Sequence, residues 1–252
     1  MISQEALKEL TLRYHTSEYP NMAREYCQHL FLSELYKIEG SESLLFKGGT
    51  ALRILYGSSR FSEDLDFSLI HIQGHRQKKF TEHLFTHTLA AIEHIGMKVA
   101  LGSKPGPTSK GYYGQAVFYL YDYLPLTISM NISTRNGKKT RHEVDTVASD
   151  FIPPYMVFHL PQEVLIEEKV FGALLERKKA RDFYDLYFMM RKGMFTMRQK
   201  RRLASLRDTI LIHAEKIDFK AELSVFLPFD QQNIIKNFQK TLANELHRQL
   251  AG

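Results

Sequence analysis

Cysteine is nearly absent: Cys27 is the single one in 252 residues. One thiol excludes an internal disulfide framework and suits a reducing cytoplasm. Nor is there an apolar run approaching the roughly 20 residues that a membrane-spanning helix needs. The opening Met1-Ile-Ser-Gln-Glu-Ala has no basic n-region and no apolar h-region, so no secretion signal is expected and the cytoplasm is the expected location. Internal repeats and low-complexity tracts are missing. The eleven histidines show no metal-ligand spacing. His83 and His87 stand i, i+4 without a glutamate after the first, which reads as a plain helix face. The methionines read as core filler.

What is present describes a folded chain. Hydrophobic residues make up 44% and charged residues 25%, enough for a sizeable core. The length holds one large or two small domains. A formal charge of +6 makes a polyanionic partner plausible. Helices are expected over 2–17, 20–38, 50–56 and 75–95, and strands over 65–70, 98–101, 112–121 and 126–134. The loop 102–111 reads as a hairpin connection, and Asn136-Gly137 as a hairpin turn leading into a strand over 141–147. After Pro153-Pro154 only helices are expected, over 161–177, 180–192, 196–213 and 229–250. The fold class that follows is α+β, with a small mixed-sheet domain and flanking helices over 1–155 and a helical bundle over 156–252.

One segment stands out, Phe46-Lys-Gly-Gly-Thr through Arg60-Phe-Ser-Glu-Asp-Leu-Asp-Phe. Gly48-Gly49 opens a helix, where exposed N–H groups can hold phosphate oxygens. Asp64 and Asp66 are spaced i, i+2, so a strand projects both to one face as a chelate for a hard cation. Leu65 and Phe67 alternate to the opposite face. The Asp-x-Asp of an aspartyl-nucleophile phosphatase should follow an apolar strand. Here the apolar run comes after the aspartates, which disfavours that class. A phosphate cradle followed by paired carboxylates is what nucleotidyl transfer needs. Asp64 and Asp66 would hold Mg²⁺, while the Gly48, Gly49 and Thr50 backbone holds a triphosphate. Ser62 adds a hydroxyl, and Lys47 a point charge or merely a solvated surface lysine.

This constellation resembles the nucleotidyltransferase superfamily. Lys47-Gly-Gly-Thr-Ala-Leu52, Arg60-Phe-Ser-Glu-Asp-Leu-Asp-Phe67 and Arg181-Asp-Phe-Tyr-Asp-Leu186 are together similar to the AbiEii/AbiGii toxin family, over a layout spanning about residues 40–190. The wider superfamily often adds a third carboxylate from a neighbouring strand. Asn131 stands at that place here, with Asp122 and Asp145 as fallback candidates. Lys169 has Leu165, Ile166, Gly172 and Ala173 around it at helical spacing. The resemblance aims it at a nucleotide phosphate or an acceptor hydroxyl, against a snorkelling surface lysine. It also implies Asp182, ahead of Asp185, as a base or a partner of Lys169; the plain alternative for Asp185 is an ion pair with Arg181. The resemblance further implies a toxin acting with an antitoxin protein, transferring from an NTP to RNA, with the tRNA 3′ end as acceptor. Eleven basic residues against two acids over 177–207 fit an RNA partner held by charge, with patches at 75–79 and 135–141. A protein or small-molecule acceptor, or a non-catalytic nucleotide- or RNA-binding protein, are the other readings.

Overall fold

Short apolar runs bracket the glycine turn and build the middle of a sheet around it. The computed structural model describes residues 1–102, 105–109, 111–135 and 141–250. It divides into two units, Met1–Gly57 with Phe61–Leu160, and Ser58–Arg60 with Pro161–Gly252. The first unit runs α1 (Gln4–Arg13), α2 (Ala23–Leu35), β1 (Leu44–Lys47), α3 (Gly48–Tyr56), β2 (Leu65–Leu69), α4 (Gly74–His94), β3 (Lys98–Leu101), β4 (Gly106–Thr108), β5 (Gly111–Tyr119), β6 (Leu126–Ser133), β7 (Glu143–Val147) and β8 (Tyr155–His159). Among the described residues the sheet order is β3-β5-β6-β2-β1-β8-β7, with β4 paired to β5. The β2–β6 and β1–β8 pairs are parallel and the rest antiparallel, so the sheet is mixed.

Alternation in the central strands sorts their side chains. Leu65, Phe67 and Leu69 of β2 and Leu126, Ile128, Met130 and Ile132 of β6 are buried in one core, shared with Phe31 of α2 and Phe85 of α4. Phe46 of β1 meets Phe67 there at 5.9 Å between ring centres. A fully buried side chain of this size contributes about 1.5–3 kcal/mol over an exposed one, so the register of β2 is fixed by its apolar half. Asp66 and Asn131 are thereby driven to the other face, because a one-residue slip would bury them instead.

The second unit is helical: α5 (Gln162–Ile166), a π-helical stretch Glu167–Leu174, α6 (Leu175–Arg177), α7 (Ala180–Arg191), α8 (Met197–Ala214), α9 (Phe219–Leu223), 3-10 turns at Ser224–Phe226 and Phe229–Asn237, and α10 (Phe238–Leu250). Its core holds Phe183, Phe219 and Phe238, the last two 4.6 Å apart. Thr196 and Gln199 close a reciprocal cap at the start of α8.

Several expectations need correction. The strand β8 lies beyond residue 155, where only helices were expected: Pro153-Pro154 reads as a domain break, yet Tyr155, Val157 and His159 alternate inward, and β8 pairs with both β1 and β7. The first unit runs to Leu160. The strand β1 was also missed, because four residues ending at a glycine pair are too short to show a period. The first helix stops at Arg13, and the second begins at Ala23 after a cis Tyr19–Pro20 bond. The connection over 102–111 contains β4. The expected helix over 229–250 is a 3-10 turn for its first nine residues. The Asn136-Gly137 turn lies outside the described residues.

Candidate active site

Strand β1 ends at Lys47 and the chain turns directly into α3 through Gly48, whose φ is +89°. A side chain is rarely tolerated in that left-handed region, and glycine is its default occupant. Space demands glycine as well. A β-carbon built on Gly48 would lie 2.8 Å from the Asp66 Cβ and overlap its Oδ2. The first residue of α3 is therefore pressed against the second aspartate of the Asp-x-Asp pair. Gly57, at φ +78°, closes the other end of α3.

Sheet register carries the site sideways. Lys47 pairs with Asp66, Asp66 with Asn131, and Asn131 with Tyr113. Paired residues share a face, and strands are about 4.8 Å apart. These four thus form a polar row across β1, β2, β6 and β5, opposite the apolar core. Asn131 Nδ2 donates to Asp66 Oδ1 at 3.1 Å. The amide leaves the site one charge short of a three-carboxylate arrangement, and its hydrogen bond orients Asp66. Asp145 does not supply the missing charge. It lies on β7, three strands from β2, roughly 14 Å away by strand spacing, with its carboxylate 3.1 Å from His159 Nε2. Asp122 lies in the turn after β5.

Asp64 immediately precedes β2, and both aspartates are half-buried. Thr50 is buried, and its hydroxyl donates to the Asp64 carbonyl, so this side chain braces the strand entry while its backbone belongs to the first turn of α3. Ser62 gives its carbonyl to Gln28 Nε2 at 3.0 Å. The donor set fits a hard cation. Carboxylates and an amide offer oxygen, and among the described residues no group of three or more His, Cys, Asp or Glu gathers into a closed site. Mg²⁺ is an ion that takes one or two carboxylates and completes its shell with water and phosphate.

The second unit holds another cluster. Asp185 is 1% exposed and receives Arg60 through Nε and Nη2 at 3.0 and 2.9 Å, and Lys169 Nζ at 2.8 Å. Burial pushes the Asp185 carboxyl up, but the two cations outweigh it and hold it below its ordinary value. Lys169 lies within the π-helical stretch, a departure from α-geometry frequent at functional sites. The expected contact between Lys169 and Asp182 is not made, and neither is the Arg181–Asp185 alternative. Asp182 instead accepts from the Lys179 backbone N–H at 3.3 Å and from Arg177 at 2.5 Å, capping α7. Asp182 and Asp185 are one helical turn apart, so sequence spacing could not choose between them. Arg60 was quoted in the motif block without a role; burying a guanidinium requires a carboxylate, which spacing alone does not locate.

The Gly48 geometry makes an early prediction. Gly48→Ala should cost about 1–2 kcal/mol of stability through the left-handed backbone alone. Displacing Asp66 by about an ångström should lower turnover about 10²-fold. Thermal melting and nucleotide incorporation, measured on one preparation, check both.

A mixed sheet whose β1–α3–β2 unit sets a glycine turn against an Asp-x-Asp strand defines the nucleotidyltransferase class. The chain belongs to the AbiEii family, the nucleotidyl transferase toxins of type IV toxin–antitoxin systems, whose family model matches residues 30–249. The match reaches well past residues 40–190 and includes most of the second unit. The chain is a nucleotidyltransferase on that ground. Its fold is similar to the crystal structure of JHP933 from Helicobacter pylori, at 20% identity and a TM-score of 0.57, covering 99% of this chain and 96% of that one. A second H. pylori structure, provisionally described as a nucleotidyltransferase, gives 20% identity and a TM-score of 0.56, covering 99% and 98%. No protein of curated function matches the sequence. Among the described residues no helix is long and apolar enough to cross a membrane.

Proposed function

We propose that this nucleotidyltransferase moves a nucleotidyl unit from an NTP to a hydroxyl at an RNA 3′ end, the hydroxyl oxygen losing its proton and bonding the α-phosphorus as pyrophosphate leaves, with Mg²⁺ at Asp64 and Asp66 and tRNA as the acceptor. The observation that carries the reading is the close approach of Gly48 to Asp66, which brings the N-terminus of α3 to the carboxylate site. Backbone N–H groups of Gly48, Gly49 and Thr50, at the positive end of α3, bind the triphosphate oxygens. Lys47, next along the polar row, adds a positive charge on the same face. Asn131 keeps Asp66 oriented through the hydrogen bond to Oδ1. When bound, the ion supplies charge neutralisation at the α-phosphate and aligns the attacking and leaving oxygens. Lys169 and Asp182 are the remaining candidate catalytic residues. Lys169, with Arg60, is held on the buried Asp185 carboxylate within the second unit. The geometry of Asp182 fits helix capping.

Arg198 and Arg201 are exposed on α8, consistent with a partner held through its phosphates. The family's place in toxin–antitoxin systems supports an antitoxin as a further partner, in the cell that makes both. The test is direct. The protein is incubated with Mg²⁺, each labelled NTP in turn, and either total RNA or total protein, alongside Asp64→Ala. Label entering tRNA only with intact Asp64 is the expected result. Label entering protein instead assigns a different acceptor, and equal labelling by the variant overturns the metal site.

A further inference from the structure

The loop leading into β2 is gripped by side chains of α2. Gln28 is 2% exposed, and its Nε2 donates to two successive carbonyls, Ser62 O at 3.0 Å and Glu63 O at 3.2 Å. The assignment of its amide is not ambiguous, because an oxygen in that place would face two acceptors. One helical turn earlier, Arg24 Nη1 lies 3.5 Å from the Glu63 carboxylate. Glu25 pairs with Arg53 at 2.7 Å, and Arg53 lies over the Phe61 ring at 3.8 Å. Thr50 takes the next carbonyl, that of Asp64. Three consecutive carbonyls, 62 to 64, are thus fixed by two buried side chains from α2 and α3.

A buried amide is costly unless its N–H groups are used, so Gln28 and this loop conformation select each other. The direction of the Asp64 side chain follows from the peptide planes on either side of it. We propose that Gln28 is a positioning residue for the metal-binding pair, setting Asp64 beside Asp66 before any ion arrives. This rests on the reading of Asp64 and Asp66 as cation ligands. Removing the two N–H groups would leave the carbonyls of Ser62 and Glu63 without these donors and loosen the hold on the direction of Asp64, weakening the two-carboxylate site.

The test uses the full chain and Mn²⁺ as an electron-paramagnetic probe, with melting curves on the same samples. Gln28→Met keeps length and burial while removing the donors. It should bind Mn²⁺ about tenfold more weakly, the scale on which outer partners of a metal ligand act. It should also need correspondingly more Mg²⁺ for half-maximal incorporation, with the rate recovering at high metal. A merely structural role would not give rescue by metal. If Gln28→Met does not fold, Thr50→Val, which releases the Asp64 carbonyl, should show the same weakening and decides the question. Asp66→Asn separates the failures. If it binds Mn²⁺ as the natural protein does, the metal assignment itself falls. If it loses Mn²⁺ while folded Gln28→Met and Thr50→Val bind normally, the positioning role alone is overturned.

Discussion

Asp66→Asn should lower nucleotide incorporation by about 10³-fold while leaving the melting curve of the protein nearly unchanged. Its mechanism is the loss of one negative charge and nothing else. Asparagine has the same shape, so it still fits over Gly48, and its carbonyl oxygen still accepts from Asn131 Nδ2. What disappears is half of the two-carboxylate ligand set proposed for the cation. A bound ion stabilises the transferring phosphoryl group by several kcal/mol, and each 1.36 kcal/mol is a factor of ten in rate. Loss of about 4 kcal/mol gives the stated factor. Single-turnover incorporation at saturating NTP is the measurement. Retention of more than a tenth of the natural rate would show that Asp66 is not a ligand. Asn131 makes this test sharp, because no third carboxylate on β6 is present to take over.

The second large effect concerns stability. Asp185→Ala leaves Arg60 and Lys169, at 3% and 12% side-chain exposure, without their shared carboxylate. Breaking a buried ion pair by removing one partner costs about 3–5 kcal/mol, since the stranded charges remain out of water. Urea unfolding of the whole chain should show that loss in the transition reporting the helical unit. A cost below about 1 kcal/mol would mean that Arg60 and Lys169 find solvent on their own. The same group makes a pH prediction. Because the folded protein holds the Asp185 proton less tightly than the unfolded chain does, its contribution is complete above the ordinary value of 3.8. It is lost progressively as pH falls below that value towards the lowered folded one. Asp185→Asn should flatten this part of the acid-unfolding profile.

The strand carrying Asp66 was legible because a strand has period two and apolar Leu65 and Phe67 announce it, whereas Asp64 falls just before its first residue. The Gly-Gly turn was legible because a helix start needs glycine where φ is positive. Beside them, β1 and β8 were not legible. Four or five residues that owe their extended form to hydrogen bonds with other strands leave little periodic trace. Lys169 could be recognised as inward-facing from its apolar neighbours, but its partner could not. Asp182 and Asp185 share a helix face, and only the packed unit puts one on a helix cap and the other between two cations.

Composition, periodicity and the motif spacing by themselves determined that this chain is an α+β protein with a glycine turn, opening a helix, ahead of a carboxylate pair. Those properties are local, set within a few residues by backbone sterics and side-chain alternation. Tertiary structure alone decided that Gly48 is pressed on Asp66, that Asn131 stands beside it, that Gln28 holds the strand entry, and that Asp185 rather than Asp182 receives Lys169. These contacts join residues 16 to 65 positions apart, and only burial of the intervening apolar surface brings them together.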